Sequence, residues 1–200
     1  ELETTYDYNP DKANQLLDEA GWVMNESTGI REKDGEPLNL LLTLESDYSA
    51  TSMPTAEVIK SQLAEVGIDV TIYGTEQMQW YADYLEGKFD LTLWHSQFAF
   101  ASPHCWFTPM DSMVPQTPSL PGIEGSDEFL ATIKDLTNMV DEQEVRDTYT
   151  YLFNFDIGTV LDIPLTYQKD MIVYNTDKIS GYTFTGTPYF FDILSLEPAE

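Results

Sequence analysis

The chain has 200 residues, 42% hydrophobic and 13% aromatic, with 9 basic against 35 acidic side chains and a formal charge of −26. A chain of this size buries about 70% of its unfolded surface, enough for one sizeable core and one domain by default. So negative a field opposes nucleic acid and anionic lipid as partners. No run of about eighteen apolar residues is present to span a membrane, and the only cysteine, Cys105, excludes an internal disulfide.

The first element is a helix punctuated at both ends. Asn9 is placed to cap the free amides, Pro10 presets the first helical φ, Asp11 opposes the positive helix end, and Gly21 allows a left-handed exit after Ala20. Ala13, Leu16, Leu17 and Ala20 form its apolar stripe. Asp34-Gly35 then predicts a tight turn between two strands, the second ending near Glu45. Pro54 opens a second helix carrying Ala56, Ile59, Leu63 and Val66 on one face, stopped by Gly67 before the alternating strand Ile68 to Ile72. A third helix, capped by Thr75 and closed by Gly87, carries Met78, Tyr81 and Leu85. Phe89 to His95 follows as a nearly continuous apolar strand, the pattern expected when helices cover both faces.

The order is helix, strand, helix, strand, helix, strand, which predicts an α/β fold: an open, largely parallel sheet flanked by helices. From Ser96 to Gly125 the periodicity fails, predicting a long loop with at most a short helix near Pro103 to Met110. One further helix is capped by Ser126 with Phe129, Ile133 and Leu136 inward. The next is opened by Asp141 with Glu144 placed as in a capping box, and buries Val145, Tyr149, Leu152 and Phe153. Ile163 to Tyr167 and Met171 to Tyr174 read as strands, and the segment from Gly181 to Phe191 is aromatic without period.

In a parallel sheet, ligands gather beyond the carboxyl ends of the strands, here 45–49, 74–77 and 95–105. The last of these loops holds both histidines, the only cysteine, Gln97, and the aromatics Phe98, Phe100 and Trp106, with Trp94 just ahead of it. Trp94, Gln97, Phe98 and His104, with Tyr48 from the first loop, are the candidate ligand-binding residues. Imidazole suits late first-row metals, so His104 and His95 are candidate metal ligands as well. Each has a plainer reading, His95 as a satisfied core residue and Cys105 as a small buried hydrophobe. Enzyme signatures are absent by inspection, with no Gly-x-Ser-x-Gly elbow, His-Glu-x-x-His, phosphate loop or dinucleotide fingerprint. A thiol or metal enzyme built on Cys105 and His104 is the remaining catalytic alternative. Asn25-Glu26-Ser27 matches a glycosylation acceptor, a pattern that also arises by chance.

The run Tyr8-Asn9-Pro10-Asp11-Lys12-Ala13 to Leu16-Leu17-Asp18-Glu19-Ala20-Gly21-Trp22 resembles the Asp-Pro-x-x-Ala-x-x-Leu-Leu-x-x-Ala-Gly-Trp signature of the peptide/nickel class of ABC-transporter solute-binding proteins, family 5. Pro10 and Asp11 stand in swapped order, and Asn9 replaces the family's serine. Gly29-Ile30-Arg31, Gly67-Ile68-Asp69-Val70, Phe89-Asp90-Leu91 and Ile163-Pro164-Leu165-Thr166-Tyr167 match in the same order. The resemblance implies a periplasmic-binding-protein-like C-terminal lobe at 1–170 and a segment at 171–200 that crosses back to an N-terminal lobe. It implies binding without catalysis and without a resident cofactor. The cargo would be nickel, a metal chelate, a peptide or another small solute, delivered to a membrane permease by a receptor anchored outside the cytoplasm as a lipoprotein. Without its partner lobe, the aromatic tail is expected to rearrange or self-associate. Nickel-type members commonly read Trp-Gly-x-Pro-x-Asp-Pro-His after the Phe-Asp-Leu strand; of this, only Pro103-His104 is kept here. Peptide binders often place Trp-x-x-Asp there, where this chain has Ser96 and Ala99. The resemblance leaves both cargo classes open.

Overall fold

The computed structural model describes residues 6–95, 103–112, 119–166, 172–184 and 192–199. Helix α1 (Pro10–Glu19) starts and stops as its sequence dictates. Asn9 Oδ1 accepts from the Lys12 N–H at 2.9 Å, and Gly21 exits at φ +86°. The Trp22 and Gly21 amides then donate back to the carbonyls of Leu17 and Asp18, which satisfies two orphan acceptors of the last turn. The predicted stripe is covered only in part, for Ala13 and Leu17 are half-buried while Leu16 and Ala20 are exposed.

What fastens α1 is a buried arginine. Strands β1 (Val23–Asn25), β2 (Ile30–Lys33) and β3 (Glu36–Pro37) form a small antiparallel meander around the Asp34-Gly35 turn. Both turn residues have positive φ, as a two-residue hairpin of the primed type requires. Arg31 of β2 is 3% exposed. Its Nη1 donates to Asp18 Oδ1 and to the Trp22 carbonyl, Nη2 to Asn14 Oδ1, and Nε to the Val66 carbonyl. One guanidinium thus joins α1, the meander and the chain at Val66, just ahead of Gly67.

Gly67 belongs to the same junction. It holds φ +82°, and a Cβ there would stand 2.6 Å from Met24 Cε and 2.9 Å from Arg31 Cγ. Gly67→Ala is therefore expected to cost at least about 1 kcal/mol from backbone strain alone, and more from displacing Met24. A lowered midpoint in urea unfolding checks this.

Among the described residues the main sheet is three-stranded and parallel, in the order β5 (Asp69–Thr75), β4 (Asn39–Glu45), β6 (Leu91–Leu93). Helix α2 (Ser52–Ala64) begins two residues before the predicted Pro54 and covers one face. There Leu42, Leu44, Val70 and Leu93 pack with Ala56, flanked by Ile59, Leu63 and Ile72. Asp90, in the turn into β6, accepts from the Leu41 amide through Oδ2 and donates its own amide to the Leu41 carbonyl. Helix α3 (Gln77–Leu85) lies against the other face, with Glu76 rather than Thr75 at its cap and no side-chain capping bond. Its buried residues are Trp80, Asp83 and Tyr84, whereas the predicted Met78 and Leu85 are exposed. The reason is a hydrogen bond: Trp80 Nε1 donates to Thr92 Oγ1 at 3.1 Å, which turns that edge of the helix toward the sheet.

Among the described residues the buried side chains fall into two clusters. Helices α4 (His104–Ser112), α5 (Ser126–Leu136) and α6 (Glu142–Gly158) enclose a second cluster of Phe107, Leu120, Phe129, Ile133, Leu136 and Leu152. Gly125, not Ser126, occupies the cap of α5. The Asp141 carboxylate caps α6 as expected, accepting from the Gln143 and Glu144 amides. Two predicted strands are corrected: 162–166 and 172–175 are irregular, and Ile163, Leu165 and Val173 are exposed, Val173 to 97%. A strand needs a neighbouring ladder and a face to bury, and the described residues offer these segments neither. Strands β7 (Ile179–Tyr182) and β8 (Leu196–Pro198) close a separate antiparallel pair. Among the described residues no helix is long and apolar enough to cross a membrane.

Candidate functional site

Parallel pairing aligns the carboxyl ends of β4, β5 and β6, so the turns after them meet along one edge. The backbone alternation then sorts their side chains. On the α2 face, His95 stacks on Tyr48 with ring centroids 4.1 Å apart, and its Nε2 lies 3.3 Å from Ser52 Oγ at the start of α2. Burial holds the His95 imidazole below its ordinary pKa, which favours the neutral ring. Two of the sequence-predicted residues, Tyr48 and His95, are thus in direct contact, and the plainer reading of His95 as a packed, hydrogen-bonded ring describes what surrounds it.

On the α3 face the third predicted residue, Trp94, packs 5.1 Å from Trp80 and 4.9 Å from Tyr84, and Phe89 stacks on Tyr84 at 5.5 Å. Trp80 and Tyr84 are buried; Trp94 is 44% exposed. Burial, then the charge of Asp162, pushes the Tyr84 phenol up to about 12, so it stays neutral. Glu45, the last residue of β4, belongs to this face, for it alternates with Leu42 and Leu44 of the α2-side cluster. Its pKa is raised by burial and by Asp47.

His104 opens α4 and is half-buried, Cys105 beside it is likewise half-buried, and α4 packs with α5 in the helical unit. Trp106 donates its Nε1–H to Asp156 Oδ2 at 3.2 Å. Gln97, Phe98 and Phe100 lie outside the described residues. Among the described residues no group of three or more His, Cys, Asp or Glu side chains is arranged to hold a metal ion. A hollow over one face of α6, lined by Asp147, Thr150, Tyr151, Asn154 and Phe155, belongs to a single helix and gathers none of these groups. The carboxyl edge of the sheet is the better candidate. Sequence reasoning found Tyr48, Trp94 and His95 from strand ends alone and missed Glu45, Ser52, Trp80 and Tyr84. Period-two alternation along β4 is the signal that separates Glu45 from Leu42 and Leu44.

Residues 1–117 match the family model of the bacterial extracellular solute-binding proteins, family 5 Middle. The chain belongs to this family. It is similar to the nickel-binding periplasmic protein of Escherichia coli K12, 27% identical over 169 residues, 83% of this chain and 32% of that protein. It is also similar to the oligopeptide-binding protein OppA of Lactococcus lactis strain IL1403, 42% identical over 69 residues, 34% of this chain and 11% of that protein. Among solved structures, NikA from Brucella suis in complex with Fe(III)-EDTA matches with a TM-score of 0.84 at 27% identity, covering 98% of this chain and 39% of that one. AppA from Bacillus subtilis in complex with a nonapeptide matches in fold, with a TM-score of 0.66 at 16% identity over 100% of this chain and 40% of that one. The α/β lobe with its parallel sheet is therefore of the periplasmic-binding-protein type. The chain spans about a third of the length of the nickel-binding relative.

Proposed function

We propose that this chain is the C-terminal ligand-binding lobe of a two-lobed ABC-transporter substrate-binding protein, which closes over its solute by a hinge and presents it to a membrane permease. The observation that carries the reading is the Tyr48–His95 ring stack at the carboxyl edge of the parallel sheet, with Trp94 on the opposite face of that edge and His104 opening the next helix. The loop 95–105 supplies this lobe's share of the site, and nickel or a metal chelate is the cargo. Similarity to oligopeptide-binding relatives favours a second reading, a peptide or other small-solute receptor. No bond-making step is assigned to the lobe. The protein acts outside the cytoplasm, anchored as a lipoprotein in its complete form. Residues 1–170 form the lobe and 171–200 the crossover, a division supported by the exposed Val173, Phe184, Ile193 and Leu194, which lack a covering face.

Mass spectrometry of what co-purifies with the complete receptor, metals included, tests the cargo. In titrations of that receptor with a nickel–histidine complex, His104→Ala is expected to weaken binding at least about tenfold. Unchanged nickel affinity transfers the assignment to the peptide reading.

A further inference from the structure

We propose that a proton shared by Asp156 and Asp162 latches the C-terminal turn of α6, and that its loss as pH rises frees this turn and the α4 indole fastened to it. The turn is built against the preference of its own residues. Beyond α6 the Leu161 amide donates to the Asp156 carbonyl and the Val160 amide to the Ile157 carbonyl, the bond pair of a helix that exits through a left-handed residue. Glycine ordinarily fills that position. Here it is Val160, at φ +57° and 48% exposed. A β-branched residue is an outlier in this region and stays there only where surrounding contacts impose the conformation. The half-exposed side chain of Val160 imposes little itself.

The contact that does so joins two acids. The chain reversal brings Asp162, half-buried, within hydrogen-bonding reach of Asp156, whose Oδ1 is buried without a partner. Two carboxylates can only accept, whereas a carboxyl and a carboxylate share a short charge-assisted bond. One proton therefore turns a buried repulsion into a bond and gives Asp156 the partner it lacks; without that proton, two like charges face each other away from water. The surroundings leave the pair to this chemistry. Burial and the partner acid act on both carboxyls, and Asp162 acts in turn on the Tyr84 phenol of α3, which stays neutral. Helix α5 faces the cluster with Phe129, Ile133 and Leu136. Helix α4 brings the titratable His104 and Cys105 in its first turn, but the residue that bonds Asp156 Oδ2 is Trp106, which does not titrate. An ionised Asp156 gains by reaching water, and movement toward water strains the Trp106 bond. Helix α4 follows the loop 95–105, so on the receptor reading, on which this consequence alone rests, the α4 side of the candidate site responds to pH.

The test is a pH series on the 15N-labelled chain from about pH 5 to pH 9, read by NMR at the Trp106 indole and by hydrogen exchange at the Val160 and Leu161 amides. Trp106→Phe assigns the indole signal. In the parent chain that signal should titrate with a midpoint of about 7. The closed turn keeps a proton that the open turn has released, so protection at Val160 and Leu161, corrected for the intrinsic exchange rate, should fall at least about tenfold from pH 5 to pH 7 and then level off, with a smaller change at Leu42 and Leu44 of β4. Asp156→Asn should abolish both pH dependences. Asp162→Asn, whose amide can donate to an ionised Asp156, should lower the indole midpoint by at least about one pH unit. A pair that serves packing alone would change stability in these variants and leave the pH profiles in place. The proposal is overturned by an indole signal that does not titrate, by turn protection that stays level or falls no more than that of β4, or by the same profile in Asp156→Asn. None of these results touches the receptor reading, because no cargo enters the measurement.

Discussion

Arg31→Ala is expected to destabilise the chain by about 3 kcal/mol and to free the first helix from the sheet. The ion pair with Asp18 accounts for little of this, because the Asp18 side chain is 67% exposed and well solvated. Most of the loss comes from the Val66 and Trp22 carbonyls, which are deprived of a charged donor at the junction and keep only what water can reach. Each hydrogen bond to a charged group is worth about 1.5–3 kcal/mol, less when several share one side chain. Arg31→Lys should recover little, because a single ammonium cannot reach four acceptors set on three different segments. Urea unfolding gives the magnitude, and amide hydrogen exchange along α1 gives the location. A loss below about 1 kcal/mol with α1 protection unchanged would count against the guanidinium as the fastener. The Gly-Ile-Arg stretch noted in the sequence acquires its physical meaning here, as does Gly67, whose missing side chain makes room for the arginine stem.

Legibility in the sequence followed the range of the interactions. The ends of α1, the Asp34-Gly35 turn, the Asp141 cap and the three parallel strands were readable because caps, positive-φ glycines and period-two runs act over a few residues. The buried faces of α5 and α6 were readable for the same reason, since Phe129, Ile133, Leu136 and Leu152 repeat at helical spacing. The face of α3 was not. Met78, Tyr81 and Leu85 made an acceptable stripe, and what displaced it was an indole bonding to a threonine on a strand twelve residues further on. The segments around Ile163 and Val173 have strand composition but no ladder beside them, which residue type alone cannot reveal. Strand-end logic placed Tyr48, Trp94 and His95 beyond the strands, where they lie; their contacts with Ser52, Trp80 and Tyr84 depend on how helices pack, which no local pattern encodes. The buried Asp156 and the half-buried Asp162 were invisible for a further reason, since an aspartate near a helix end ordinarily reads as solvated.

Asp156→Asn is expected to raise stability at pH 8 by a few kcal/mol and to flatten the pH dependence between about pH 4 and pH 7. Asp156 is 2% exposed; its Oδ2 accepts from the Trp106 indole, and its Oδ1 has no hydrogen-bond partner. Burial first, then the charge of Asp162, pushes its pKa up to about 7, and burial likewise raises that of Asp162. In the unfolded chain Asp156 ionises near its ordinary value of about 3.9. Between those two values the native state holds a proton that the unfolded state has released, so stability falls as pH rises across this window and levels off above about 7. The two values lie about 3 apart, which at 1.36 kcal/mol per pH unit sets an upper bound of about 4 kcal/mol. Asparagine keeps the volume, can accept from Trp106 through its amide oxygen, and presents N–H toward Asp162 without a proton to lose. The general self-repulsion of a chain with net charge −26 also weakens the fold as acids ionise. The decisive quantity is therefore the difference between the two proteins, measured by urea unfolding from pH 4 to pH 8. That difference should be small at pH 4 and grow toward pH 8. Parallel curves across the range would show that Asp156 is ionised alike in the folded and unfolded chain, and would remove the carboxyl pair as a source of pH sensitivity at the junction of α4 and α6.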